Sequence, residues 1–454
     1  MKITGRTDKG FGIGVLNAIT GNEYVTIIDT TTGQIRKVKS QPVTNYNVMV
    51  LDKTFGQNSH IALINTNLSR NYTSMETIVP NSLYVANVTS LDAKIYLGKY
   101  SFTAVGAVSR KPINLKYNNG FYYDLRWEKE KGSFRYSINR VYYDSKYDPN
   151  DMGFLNRNNM VLNAASVSYL ITRPFSLFLD FRNTLTIQEN RRLNPDHLAD
   201  VTLYYDMRAR LVNQWSVSLS SRWQPNESFD YYEPRTAGLY FKRSPYYGGR
   251  VSVESNRNRS LSGRISFNTN IRQEIDNSYS TQISFDTWAK ISRRLSFSSF
   301  VSNISDKNNQ GFVSRSTDGK IIYFSNRNIS TTEFVVNAAY IFSTKTALDL
   351  RTRYYYSGVS YNSFFTLNDL GRLTPESGYT YNDFYFNDLS TDISFIWHFS
   401  PGSRISALLR YHLYNNSQGN EGLFRSLRSI SSDLGASSIS VKWLYYIDYN
   451  KIKK

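Results

Sequence analysis

The side chains able to do acid–base, nucleophilic or metal chemistry here are few in kind. Four histidines, His60, His197, His398 and His412, are the groups whose ordinary pKa lies nearest neutrality. None stands in an H-E-x-x-H pattern or at another ligand spacing, so no metal site is expected. His398 and His412 fall on consecutive runs of one expected hairpin, where a hydrated imidazole is the simpler role. Serine is common enough to lie near any histidine, which keeps a Ser-His hydrolase in view, but no nucleophile motif accompanies it. The expectation is therefore a protein that is not an enzyme, with no catalytic residues and no cofactor. Gly10, Gly12 and Gly14 spell G-F-G-I-G without the following helix that a dinucleotide site requires, so they read as a strand bend or a close approach. Cysteine is absent, which removes disulfides, thiolate zinc sites and cysteine nucleophiles together.

Charge offers more. In TDISFIWHFSPGSRISALLRYHLY, residues 391–414, Ile393, Phe395, Trp397 and Phe399 alternate with Asp392, Ser394 and His398. After the Pro-Gly, Ile405, Ala407, Leu409, Tyr411 and Leu413 alternate with Arg404, Ser406, Arg410 and His412. The same parity elsewhere sends Arg126, Arg135, Arg182, Arg208, Arg210, Arg222, Arg264, Arg272, Lys290, Arg351, Arg353, Arg404, Arg410 and Lys442 to one face. Asp124, Asp180, Asp206, Asp286, Asp349 and Asp392 join them there. Rings of Arg and Lys around a wet interior favour anions, whereas an Arg–Asp ladder would simply brace a wall; the same residues can do both.

These side chains need strands to hold them. Period-two alternation recurs over 201–211, 217–223, 264–272, 283–291 and 348–356, which predicts strands with one apolar and one polar face. Short turns are expected at Lys129 to Gly132, Thr172 to Phe175, Asn213 to Trp215, Asn256 to Arg259, Ser292 to Arg294, Ser343 to Lys345 and Ser400 to Ser403. Long polar segments fall between them near 146–157, 190–198, 224–247, 305–331, 359–387 and 415–434. Alternating short and long connections point to an all-β fold, one large antiparallel transmembrane β-barrel with short periplasmic turns and long extracellular loops. The count is about twenty strands, within roughly 18 to 22, most of them able to supply the ~9 to 11 residues a tilted membrane strand needs.

Composition agrees. Aromatics make up 15% of the chain, hydrophobic residues only 40%, and mean hydropathy is −0.45, which excludes a bundle of membrane helices. Arg or Lys facing lipid near the midplane costs about 2 to 4 kcal/mol, so the charged rows must face water and the oily rows hydrocarbon. Trp127, Trp215, Trp223, Trp397 and Trp443 suit the membrane interface. A soluble β-sandwich would alternate too, but with shorter strands and a face richer in Lys and Glu. The net charge of +18 favours anionic partners. Outer-membrane lipid and lipopolysaccharide, and polar or anionic solutes, fit that charge; nucleic acid does not, because the arginines are spread over many strands. KYNNGFYYD, SPYYGGR and GYTYNDFYFND read as external loops whose Tyr, Asn and Asp could stack on and hydrogen-bond sugars, an alternative glycan-binding role.

The stretches KITGRTDKGFGIGVLNAITGNEY, QPVTNYNVMVLDKTF, NSHIALINTNLSR and SLYVANVTSLDAKIYLGKYSFTAVGAVSR resemble the barrel region of the DUF5916 family of Bacteroidota-type envelope proteins. EPRTAGLYFKRSPYYGGRVSVESNRNRSLS and HFSPGSRISAL are similar to further landmarks of that family. The resemblance implies a bacterial outer-membrane location. It also implies, upstream of these landmarks, a signal peptide, a carbohydrate-binding-like β-sandwich and further strands. Residues 1–454 are accordingly expected to be a single barrel domain that lacks upstream strands and an N-terminal domain. Lys2 to Arg6 reads as the end of a strand, and an open edge there is unfavourable in lipid. Either the C-terminal strand Ser438 to Asn450 pairs near residues 2–20, or the natural barrel is larger; the second is expected. Oligomeric state is left open.

Overall fold

A computed structural model describes residues 1–30, 32–56, 58–72, 82–113, 116–273, 278–419, 422–429 and 434–446. The chain divides into two compact units, residues 1–170 with 185–201, and residues 171–184 with 202–454. The first runs through β1 (Lys2–Arg6), β2 (Phe11–Thr20), β3 (Glu23–Ile28), β4 (Ile35–Gln41), β5 (Thr44–Phe55), β6 (Ser59–Tyr72), β7 (Ser82–Leu97), β8 (Tyr100–Ile113), β9 (Lys116–Lys129), β10 (Phe134–Tyr143) and β11 (Met160–Ile171). Residues of β12 (Phe178–Arg192) and β13 (His197–Leu211) belong partly to each unit. The second continues with β14 (Ser216–Gln224), β15 (Ser228–Asp230), β16 (Phe241–Arg243), β17 (Tyr246–Glu254), β18 (Leu261–Arg272), β19 (Tyr279–Lys290) and β20 (Leu295–Arg315). It ends with β21 (Ile322–Ser343), β22 (Thr346–Leu367), β23 (Leu373–Glu376), β24 (Phe384–Ser400), β25 (Ser403–Gln418), a short helix α1 (Leu423–Ser429) and β26 (Leu434–Leu444).

Among the described residues the fold is all-β, with one antiparallel sheet of 22 strands; β3–β4 and β15–β16 form separate two-stranded hairpins. The expected fold class and strand number are borne out. No helix is long and apolar enough to cross a membrane. Six of the short turns read from the sequence fall between consecutive strands that pair with each other, from Lys129 to Gly132 between β9 and β10 to Ser400 to Ser403 between β24 and β25, and Thr172 to Phe175 falls in the link from β11 to β12. Tight two- to five-residue connections impose such pairing of neighbours.

The long connections need correction. Residues 190–198 are mostly strand, leaving only 193–196 as the link. Residues 305–331 are largely the outer halves of β20 and β21, and 359–387 includes the end of β22, all of β23 and the start of β24. The reason is visible in β21. Phe334, Val336, Ala338, Tyr340 and Phe342 carry the apolar row, but beyond Phe334 the row continues as Thr332, Ser330 and Asn328. A strand polar on both faces has no hydropathy period, so it reads as a loop. At 21 to 22 residues, β20 to β22 are about twice the length a tilted membrane strand requires. KYNNGFYYD and most of SPYYGGR likewise lie in β9 and β17.

At the C-terminus, β26 begins at Leu434, ahead of the expected Ser438, and pairs with β25. The stretch 447–450 lies outside the described residues. At the other end, β1 pairs with β2.

Burial runs opposite to that of a water-soluble sheet. In the second unit Phe267, Ile283 and Phe285 are 46%, 46% and 49% exposed, while Ser266, Ser284 and Ser302 on the other face are 3%, 3% and 4% exposed. Buried apolar clusters in that unit are small. Tyr354, Tyr356, Tyr385 and Leu413 form one, against which Leu423 of α1 packs. Phe241, Phe312, Ile322 and Phe324 form another beneath the β15–β16 hairpin. The helix was missed because seven residues are too few to show a 3.6-residue period.

Candidate functional site

The polar face of the second unit can be followed residue by residue, since partners directly opposite in an antiparallel sheet share a face. One row runs Arg210, Ser216, Glu254, Arg264, Asp286, Phe300, Val335, Arg353, Ser390 and His412. The alternation along each strand adds Asp206, Arg208, Arg222, Arg272, Lys290, Asp349, Arg351, Asp392, Arg404, Arg410 and Lys442 to the same face. Asp180 is brought there by its ion pair with Arg210 at 2.5 Å, and Arg182 follows two residues on. In the first unit Asp124 and Arg126 share a face with Arg135, because Arg126 lies opposite Asn139.

Many of these charges are paired. Arg264 donates from Nε to Asp286 at 2.9 Å and lies 3.8 Å from Glu254, which Arg257 also holds at 2.8 Å. Arg353 meets Glu333 at 2.6 Å. Arg410 grips Asp392 with Nε and Nη2 at 2.7 and 2.9 Å, the bidentate geometry that suits a guanidinium. His412 Nε2 is hydrogen-bonded to Asp388. Glu254, Glu333 and Asp388 were not among the expected residues, so the carboxylates on this face are more numerous than the sequence reading allowed. Even so, among the described residues Arg135, Arg182, Arg208, Arg222, Arg272, Lys290, Arg351, Arg404 and Lys442 make no ion pair.

The first unit has its own row: Arg6, Gly12, Asp52, Ala62, Asp92, Val105 and Asp124. Arg6 reaches Asp52 at 2.6 Å, and a Cβ on Gly12 would lie 2.1 Å from Asp52 Oδ1. Gly12 thus serves the close approach expected of it. Arg140 sits on the opposite, apolar face with Ile138, where it donates to Tyr123 Oη at 3.1 Å and Asn163 Oδ1 at 3.2 Å. It lies near the loop end of β10, where an exposed charge costs least in a membrane strand.

His412 stands opposite Ser390, while His398 lies beside Trp397, whose partner is Ile405, so the two histidines do not face each other. No hydrogen bond joins Ser390 Oγ to His412 among the described residues, so the nucleophile–base contact of a triad is not made. Trp127, Trp223, Trp397 and Trp443 are exposed on the apolar face, and Trp215 is exposed in the turn before β14. Trp288, which the interfacial reading omitted, is on the polar face instead, with the Arg257 and Arg264 guanidiniums 3.0 and 5.7 Å from its ring centroid. The tyrosines of GYTYNDFYFND stack on neighbours rather than standing free: Tyr379 lies 3.9 Å from Tyr323, nearly parallel, and Tyr381 meets Tyr361 edge-on.

The β15–β16 hairpin is fastened over the loop ends of the second unit. Arg243 donates to Asp230 and to Glu233, both at 2.9 Å, and Glu233 also accepts the Phe312 N–H at 2.9 Å. Burial opposes ionisation of Asp230, yet the Arg243 guanidinium and the Tyr232 and Glu233 N–H groups hold it below the usual carboxylate range. Gly311 makes room for these groups, since a Cβ would fall 2.0 Å from Arg327 Nη2 and 2.8 Å from Glu233 Oε1 and would push both side chains aside.

The model of a family described as a domain of unknown function, DUF5916, matches residues 1–454. The chain belongs to the DUF5916 family. Among solved structures, this DUF5916 chain is similar to the outer membrane transporter YddB from Escherichia coli. The TM-score is 0.44 and the identity 9%, over 97% of this chain and 67% of that one. No curated protein matches the DUF5916 sequence.

Proposed function

We propose that this DUF5916 chain is the wall of a bacterial outer-membrane β-barrel that acts as a passive channel, or as the membrane part of a transport or surface-binding assembly. Its polar face borders water and its net basic lining favours anionic or polar solutes. The observation that carries this reading is the inverted burial: Phe267, Ile283 and Phe285 are bare, whereas serines and ion pairs line the other face. Bare aromatic and aliphatic rows are stable against acyl chains, and arginines are not. The cations left without ion pairs, such as Arg208, Lys290 and Arg351, supply the anion preference. Reversal potentials across planar bilayers under a salt gradient test it. Anion-selective conductance is expected; a cation-selective or closed lumen would count against the pathway.

A further inference from the structure

Where β14, β17, β18 and β19 meet the base of the β15–β16 hairpin, two arginines crowd one aromatic ring. The Arg222 and Arg272 guanidiniums lie 4.8 and 5.3 Å from the Tyr246 centroid. Neither makes an ion pair among the described residues, and Arg272 donates from Nη1 to the Ser244 carbonyl at 3.2 Å. Together with Lys307 they line a recess of about 430 Å³. Lys307 stands opposite Tyr279, on the face of Ile271, and so borders the recess only at its rim. Arg243 also lines the recess, but its charge is taken by Asp230 and Glu233. Two uncompensated arginines therefore face one carboxylate lining the recess, Asp306.

Adjacent guanidiniums repel, and an aromatic face offsets only part of that repulsion. What remains unmet is a compact anion with several acceptor oxygens, which a planar fork of N–H donors matches better than a point charge would. Around the cations stand Asn270, Ser278, Ser280 and Asn309, groups that can exchange hydrogen bonds with hydroxyls. The volume lies within the ~300 to 1,000 Å³ usual for small-molecule sites. That volume suits a phosphate on a small polyol or sugar.

The walls are held in place. Gly248 lets β17 pass beneath Asn270, since a Cβ there would lie 2.1 Å from Asn270 Oδ1. The hairpin above is pinned through Glu233 and through Lys242 N, which donates to the Gly371 carbonyl at 2.8 Å.

We propose that this recess binds a small phosphorylated, hydroxyl-bearing solute, with Arg222 and Arg272 forking the phosphate. This rests on the reading of the polar face as water-bathed, and turns a general anion preference into a discrete site. The test is calorimetric titration of the full chain in detergent micelles with glycerol 3-phosphate, beside inorganic phosphate, glycerol and phosphatidylglycerol. Glycerol 3-phosphate should bind more tightly than inorganic phosphate, and glycerol and the lipid should not compete with it. Arg222→Lys, which keeps the charge and loses the fork, and Arg272→Gln should each weaken binding by about tenfold or more. Lys307→Gln, at the exposed rim, is a charge control that should weaken binding far less than either arginine variant. Binding unchanged in Arg222→Lys and Arg272→Gln, or equal for inorganic phosphate, or stronger for the lipid, would overturn the assignment. Bilayer conductance on the same preparations separates the two readings. Phosphate-ester binding without conductance sinks the channel and leaves the site; anion conductance without such binding sinks the site alone.

Discussion

Phe267 and Asn268 are neighbours in β18 with opposite fates. Phe267 lies in the exposed apolar row, opposite Val251 and Ile283, and Asn268 points to the charged face, opposite Arg250 and Gln282. Arginine at 267 should destabilise the protein in lipid vesicles by about 2 to 4 kcal/mol, and arginine at 268 by no more than about 0.5 kcal/mol. Equilibrium unfolding of the two variants in urea would show the difference, and equal losses would argue against a two-faced sheet. At this scale the sequence was most readable where period two was unbroken. Arg264 and Asp286 could be placed together because each alternates with Ile or Phe. Glu333 and Asp388 escaped because they border the stretches polar on both faces. Trp288 escaped because an indole alone does not declare its partner, and only the register sets it beside Arg257 and Arg264.

Among the elements, short turns were legible because two or three polar residues between oily runs admit one connection. The outer reaches of β20 to β22 were not, since nothing apolar marks their faces. The β15–β16 hairpin was hidden for another reason: its strands have three residues each, and Glu233 between them is held by an ion pair to β21 and a hydrogen bond from β20 rather than by pattern. Its acid response follows from Asp230. A carboxylate held low in the folded state contributes stability that is complete above its unfolded pKa of about 3.9 and fades as pH falls from there through the folded value. Amide exchange across 228–243 should therefore stay slow from neutral pH down to about 4 and accelerate only below it. Asp230→Asn should abolish that acid step. Loss of protection at mildly acidic pH in the unchanged protein would mean that the Arg243 contacts do not hold the hairpin.

For the whole molecule, the all-β class and the single large sheet followed from alternation and turn lengths, and membership of the DUF5916 family agrees with the landmarks from KITGRTDKG to HFSPGSRISAL. Ligand preference was less legible. The sequence counted arginines without showing that Arg353 and Arg410 already have carboxylates, or that Arg222 and Arg272 do not. The central claim is about sidedness, and the absence of cysteine makes it directly accessible. Single nitroxide labels at Phe267→Cys, Ile283→Cys and Phe285→Cys can be compared in lipid with labels at Asn268→Cys and Gln282→Cys by their collisions with oxygen and with a water-soluble nickel chelate. The first group should relax with oxygen and ignore nickel, and the second should do the reverse. Nickel access to both rows, or to the aromatic row alone, would contradict the account.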